Sequence, residues 1–429
     1  MNRMRTTTLA ALTAGVLAFT TAACGGSPGS GDDTLVYWSM WEEKEPQAEV
    51  LKSAIARFEK QSGTEVDVVW QGRKVLQKVA PALRSGEVPD LVDHDHNSLR
   101  STLAEPGQAR DLSAVYKANV PGEGKTVAAV GPGRYRELTT HDGKPYMLPY
   151  EVFAQALWYD GSKFPKLADK QPETWDAFLK LLDERKKEGR APLALDGDIG
   201  FYNSLWTVHL LERALGPGTV NKIAADKSGD AWRDTKVVNA LRRVEDLARG
   251  GYFAEGAFGS KWPAMQERWA AGDSDFLLMG SWIPSETRNS AASGFTYRSM
   301  PFPTVAGGDD SVHTGAIGFA VPTAAEHPEA AEKFLAFMMK RENIEGFSTK
   351  ALNLVPRPDV EAPEQLAGLA EALKERKITP AYDGIDADYP NYPTEVFEPA
   401  GNALLAGKIT ADQFIQQVAD KQAAYWKKH

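Results

Sequence analysis

The sequence predicts an α/β fold of two lobes, and three observations carry it. Strand and helix signals alternate through the first seventy residues or so after position 33. A mainly helical stretch follows from Lys163 to Gly251, after which strand signals return. The body is about 400 residues long, more than one compact core holds.

The elements follow in order. Thr34 to Ser39 is a short apolar run of strand type. Val50, Leu51, Ala54, Ile55 and Phe58 recur at helical spacing within 45–61, and Gly63 supplies a C-terminal stop. A strand is expected over 65–70, a helix over 73–84 closed by Gly86, a strand over 89–92 and a helix over 97–103. Thr174 is placed to cap a helix burying Trp175, Phe178, Leu181 and Leu182. Helices are read over 202–215, 235–248 and 328–339, and strands over 275–279, 295–300 and 316–321. In the last helix Thr410 and Gln413 form a capping box, and Phe414, Val418 and Tyr425 mark its buried stripe.

The N-terminus reads as a secretory signal over 1–23. Arg3 and Arg5 precede a short apolar run from Leu9 to Phe19, and Ala22 and Ala23 precede Cys24, the only cysteine. Thr21-Ala22-Ala23-Cys24 resembles a lipobox whose first position is Thr in place of the usual Leu. Cys24 is therefore expected to become an acylated N-terminus, with residues 24–33, rich in Gly and Ser, as a flexible tether. A lone cysteine leaves no internal disulfide. The formal net charge is −9, and −11 once Arg3 and Arg5 are removed; with no basic cluster this argues against nucleic acid. Eleven Trp and thirteen Tyr supply the flat faces against which sugar rings pack.

Several strings, in order over almost the whole mature chain, resemble the extracellular solute-binding proteins of family 1, the maltose-binding-protein-like group. They are Thr34 to Trp41 (TLVYWSMW), Val88 to Val92 (VPDLV), Asp142 to Tyr150 continuing to Leu157-Trp158-Tyr159-Asp160, and Pro172 to Phe178 (PETWDAF). Gly280-Ser281-Trp282, Thr314 to Phe319 and Ala330 to Phe334 complete the set. The resemblance implies a two-lobed, periplasmic-binding-protein-like fold of type II, its lobes joined by three hinge crossings near Pro149, Pro301 and Thr349. It implies lobes of 34–149 plus 301–348 and of 150–300 plus 349–429. It implies a sugar held between the lobes at strand ends, delivered to the permease of an ABC importer by a monomer anchored outside the cell membrane.

Sugar binding needs aromatic faces beside charged or amide groups. On that ground, and by the resemblance, the candidate contacts are Trp41 and Glu42 after the first strand; Asp93, His94 and Asp95 after the third; Tyr150 and Glu151 at the first crossing; Tyr202, Asn203 and Trp206 at a helix start; Trp282 after its Gly-Ser pair; Gly315, for close backbone approach; and Asn353, Arg357 and Tyr392. Core packing is the competing reading for Trp206, helix capping for Asp93 and Asp95, and an exposed charge for Arg357. Asp93 to His96 also raises a metal site, but four adjacent residues rarely converge on one ion, and neither metal nor cofactor is expected. The rival functions are a secreted glycoside hydrolase with paired carboxylates, a receptor for a polyamine, peptide or ferric ion, and a structural lipoprotein or adhesin. The chain carries no G-x-S-x-G, H-E-x-x-H or Walker A string, so the expectation is a receptor rather than an enzyme.

Overall fold

The computed structural model describes residues 34–429; the signal, Cys24 and the tether lie outside the described residues. Eleven strands appear in chain order: β1 (Leu35–Ser39), β2 (Val66–Trp70), β3 (Leu91–Asp95), β4 (Thr140–His141), β5 (Lys144–Pro145), β6 (Leu148–Asp160), β7 (Leu193–Ala194), β8 (Phe276–Gly280), β9 (Tyr297–Met300), β10 (Val312–Ala320) and β11 (Ile378–Pro380). β4 and β5 form a small hairpin. The other nine follow the order β2-β1-β3-β10-β6-β8-β7, with β11 beside β10 and β9 beside β6.

The long strand β6 belongs to both halves of this sheet. Its first part, Leu148 to Ala154, pairs antiparallel with β10, and its second part, Gln155 to Asp160, pairs with β8 and β9. β10 is also shared, meeting β11 through Val312 to Thr314 and β3 through Ile317 to Ala320. The register shifts at Ile317/Gly318, where a Cβ on Gly318 would stand 2.3 Å from the Leu148 carbonyl, so only glycine lets β10 lie that close to β6.

Two apolar cores flank the shared strands. The first gathers β1 to β3 with the helix Pro46–Ser62, through Leu51, Ile55 and Phe58, and the helix Pro328–Met338, through Phe334 and Phe337. The second is largely helical: Phe178, Leu182, Leu205, Leu241, Val244, Phe397 and Phe414 surround Leu157 and Phe276. The local signals explain the helices. Gly63 and Gly86 close two of them with left-handed backbone. Thr174 accepts from the Ala177 amide, and Thr410 and Gln413 form the reciprocal capping box.

Three elements differ from the sequence expectation. β3 runs on to Asp95, because Asp93 is held inside the structure by hydrogen bonds and does not lie in a loop. The helix expected over 97–103 starts at His96 and passes into a π-turn at Arg100–Ala104. β10 starts at Val312, four residues before the expected strand, because His313 and Thr314 are fully buried, His313 beside Glu212.

Candidate binding site

The ends of β1 and β3 are tied together before they offer anything to a ligand. The Asp93 carboxylate accepts the Met40 amide at 2.7 Å and the Tyr150 hydroxyl at 2.6 Å, and the Tyr150 oxygen in turn accepts the Trp41 indole Nε1–H at 2.6 Å. All three side chains are buried. Burial pushes the Asp93 carboxyl up, and the bonds from Tyr150 and Met40 hold it back. Asp93, Tyr150 and Trp41 thus fix the aromatic loop in place.

Arg73, which the sequence reading passed over, lies over that loop. Its guanidinium sits 4.4 Å from the Trp41 ring centroid, forks onto both oxygens of Glu45 at 2.9 and 2.6 Å, and donates to the Met40 carbonyl at 2.8 Å. His94 Nε2 faces the Arg73 carbonyl at 3.1 Å and Nδ1 faces Asp95 Oδ2 at 2.6 Å. Burial opposes charge on His94, but Asp95 and the Arg73 carbonyl outweigh it and raise its pKa. Burial likewise opposes charge on Asp95, while His94 and the Ser98 amide hold its carboxyl well below the usual range. Asp95 also caps the helix at His96, as the competing reading allowed. Glu42 is exposed, its amide donating to Glu45 Oε2.

Glu151 is the unusual carboxyl. It is 4 % exposed, its Oε2 has no partner, and burial pushes its pKa up to about 8 despite the nearby Arg73 charge. Two residues along β6, the Phe153 ring packs edge-on against Trp282 at 5.7 Å and lies 6.4 Å from His96. Gly315 is explained here: a Cβ would stand 2.2 Å from the Phe153 ring and 2.8 Å from His96, so its freed space holds these rings and is not left for a ligand.

The loop after β8 and the helix Gly200–Leu215 bring two more aromatics against the first core. Trp282 is half-buried, and the Tyr202 ring stands 6.3 Å from it, tilted 31°. Gly280 is required beneath Trp282, since a Cβ there would fall 2.1 Å from the indole. Asn203 donates through Nδ2 to the Gly197 carbonyl at 3.0 Å, which leaves its buried Oδ1 unpartnered. Between the two cores, Asn97 donates to Asp386 at 2.8 Å and Arg100 pairs with Asp388.

Four other candidates lie in packing roles. Trp206 is fully buried against Phe253 and Phe302. Arg357 is clamped by Glu123 at 2.8 Å, Asp359 at 2.6 Å and the Met339 carbonyl at 2.6 Å, so it is a buried structural cation and not a free charge. Tyr392 donates to Gln422, which also accepts the Trp232 indole. Asn353 accepts from Gln47 at 2.9 Å. Trp41, Arg73 and His94 thus form one group and Phe153, Trp282 and Tyr202 another, with Glu151 and Phe153 two positions apart on β6, whereas the partners of Trp206, Arg357, Tyr392 and Asn353 belong to neither. For Arg73, the only sequence signal is its place just after a strand end.

Two apolar cores joined through the shared strands β6 and β10 define a two-lobed α/β protein. The chain belongs to the bacterial extracellular solute-binding proteins, whose family pattern matches residues 42–345. It is 23% identical to the diacetylchitobiose binding protein NgcE of Streptomyces coelicolor, over 65% of this chain and 60% of that protein. It is 24% identical to the multiple sugar-binding protein of Streptococcus mutans, over 74% of each. The chain thus spans less than two thirds of NgcE, and only 35% of the extracellular-binding protein PH1039 of Pyrococcus horikoshii, with which it shares 30% identity. Among solved structures, apo RafE from Streptococcus pneumoniae superposes with a TM-score of 0.77 at 18% identity, covering 91% of this chain and 97% of that one. A cyclo/maltodextrin-binding protein complexed with maltotetraose gives 0.71 at 17% identity, covering 93% and 98%. Both likenesses are of fold. Among the described residues no helix is long and apolar enough to cross a membrane.

Proposed function

We propose that this chain is the substrate-binding component of an ABC sugar importer, holding a mono- or oligosaccharide reversibly in the gap between its lobes. One observation carries the reading. Trp282, Tyr202 and Phe153 offer aromatic faces in one cluster, and Asn203 Oδ1, beside Tyr202 in the chain, and Glu151 Oε2, two positions from Phe153, are buried and unpartnered. Buried polar atoms without partners are rare in a finished core, and a polyhydroxylated ring supplies both donors and acceptors to meet them. A Glu151 carboxyl kept protonated by burial donates to a hydroxyl oxygen as a neutral acid. The relatives named for diacetylchitobiose and for multiple sugars support the same class.

In this reading the protein is a receptor and not an enzyme, and it works without cofactor or metal. Its lobes are 34–149 plus 301–348 and 150–300 plus 349–429, with β6 among the hinges. Ligand shifts the balance towards closure only by contacting both lobe faces at once, and membrane permease subunits recognise the closed form. Cys24 carries the acyl anchor, which holds a monomer at the outer face of the cell membrane. A thermal-shift screen followed by calorimetry on a saccharide panel tests the reading. A raised melting temperature and a saturable isotherm with unchanged sugar are expected; hydrolysis of the sugar, or no response to any saccharide, would reject it.

A further inference from the structure

A second buried group, separate from the aromatic cluster, lies where β6, β10 and the helix Gly200–Leu215 meet. His209, Glu212 and Arg213 come from the helix, His313 from β10 and Asp383 from the turn Ala381–Gly384 after β11, and none is more than 5 % exposed. The imidazoles of His209 and His313 stack with centroids 3.8 Å apart, and His209 Nε2 faces Gln155 Oε1 of β6 at 3.1 Å. His313 Nε2 touches Glu212 Oε2. Asp383 accepts the Gly218 and Asn221 amides at 2.7 and 3.0 Å and lies within hydrogen-bond reach of Glu212.

The charges in this group do not balance one another locally. The Arg213 guanidinium is taken up by Asp309 at 2.9 Å and by the Phe302 and Ser311 carbonyls at 3.2 and 2.7 Å, while Asp310 and Arg376 act on it from farther out. Burial, with the Arg213 charge, keeps both imidazoles neutral. Burial pushes Glu212 up to about 8, against the Asp383 bond and Arg213; burial and then the Glu212 charge raise Asp383 to about 7. Two carboxyls thus face each other in a dry space, with the nearby cation already paired.

Each of the three elements also carries a residue of the aromatic cluster. Gly315 of β10 pairs with Phe153 of β6, and each stands two positions from a member of the buried group, His313 and Gln155, on the same strand face. Tyr202 begins the helix that holds His209 and Glu212. The fit at Gly315 has no slack, since a Cβ there would stand 2.2 Å from the Phe153 ring, and that ring packs on Trp282. A shift of the helix or of β10 is therefore felt at Phe153, Trp282 and Tyr202.

We propose that Glu212 and Asp383 form a proton-operated switch that sets the arrangement of Phe153, Trp282 and Tyr202. With one proton between them the two carboxyls carry a single negative charge, and the helix stays against β10. When that proton leaves to solvent, a second negative charge stands unpaired in the dry space, and the helix and β10 move apart to admit water. Tyr202 moves with the helix and Gly315 with β10, so the aromatic cluster loosens. The switch acts through the framework and does not depend on which solute the protein binds.

Fluorine NMR of the whole chain labelled with fluorotryptophan tests it, the Trp282 resonance being assigned by its absence from Trp282→Phe. Between about pH 5 and about pH 9 the wild-type Trp282 resonance should shift with a midpoint between about 7 and about 8, where the carboxyls give up their shared proton. Glu212→Gln keeps the shape but cannot ionise, and should hold the resonance at its low-pH position. Glu151→Gln should leave the shift in place, because Glu151 lies outside the switch. A wild-type resonance that stays still, an equal shift in Glu212→Gln, or a shift abolished by Glu151→Gln would each overturn the switch. If Glu212→Gln does not fold, Glu151→Gln decides: a shift retained there supports the switch, and a shift lost there overturns it.

Discussion

The indole of Trp41 and the hydroxyl of Tyr150 are 2.6 Å apart, although 109 positions separate them in the chain. The bond runs from the loop after β1 to the strand shared by both halves of the sheet, and through Tyr150 it ends on Asp93. The aromatic loop is therefore tied to β6 and not only to its neighbours β2 and β3. Removing the hydroxyl with Tyr150→Phe leaves the Trp41 Nε1–H without an acceptor and Asp93 short of a donor. The expected cost is about 1–3 kcal/mol in denaturant unfolding, together with weaker ligand binding. Unchanged stability would mean that the three groups are not coupled.

Trp282→Ala should lower saccharide affinity about tenfold or more while the fold survives, since the ring is only half-buried. Calorimetry and a circular-dichroism melt read both halves of that statement. Wild-type affinity would remove Trp282 from the site.

Gly280→Ala reaches the same indole from below. A methyl group 2.1 Å from the ring forces Trp282 out of position, at about 1–3 kcal/mol of stability and with a loss of affinity resembling that of Trp282→Ala. Retained affinity would show that the indole has another resting place.

Arg357→Ala should act on stability alone. It strips a buried cation from Glu123, Asp359 and the Met339 carbonyl; because the carboxylates are partly exposed, the expected loss is about 3 kcal/mol, the low end for a broken buried pair. Ligand affinity of the folded fraction should match the wild type. A large selective loss of affinity would return Arg357 to the site.

Stability should fall as pH rises through neutrality, and Glu151 sets part of that slope. Its folded pKa of about 8 lies above the unfolded value, so the folded state holds the extra proton. The contribution is complete below the ordinary carboxyl range, near pH 4.5, and is lost progressively until about pH 8. Glu212 and Asp383, raised by burial to about 8 and about 7, act in the same direction. Glu151→Gln should therefore reduce the decline between pH 5 and 8 by up to ~1.4 kcal/mol per pH unit, measured by denaturant melts across that range. An unaltered slope would place the Glu151 proton elsewhere.

Local chemistry made much of the framework legible. Apolar spacing and the stops at Gly63 and Gly86 located helices within a residue or two, and Thr410 with Gln413 marked a real capping box. What sequence could not resolve was which polar or aromatic side chains find tertiary partners. Arg357 looks like any surface arginine until Glu123 arrives from 234 positions away. Trp206, four residues from Tyr202, turns into the core because Phe253 and Phe302 meet it there. The reverse holds at Arg73 and Phe153, whose roles depend on Trp41, His96 and Trp282 converging from separate segments. Asp93 to Asp95 read as one loop, yet only His94 joins the group around Arg73, while Asp93 is drawn inside.

The position of β10 has a consequence for how such a chain is made. It fills the gap between β3 and β6, so both of those edges stay open until synthesis has passed residue 312. The first lobe cannot finish before most of the polypeptide exists, and pairings of such long sequence separation form slowly. Through most of synthesis those two edges are unpaired templates for wrong partners, so this topology leaves the growing chain exposed to misassembly until β10 arrives.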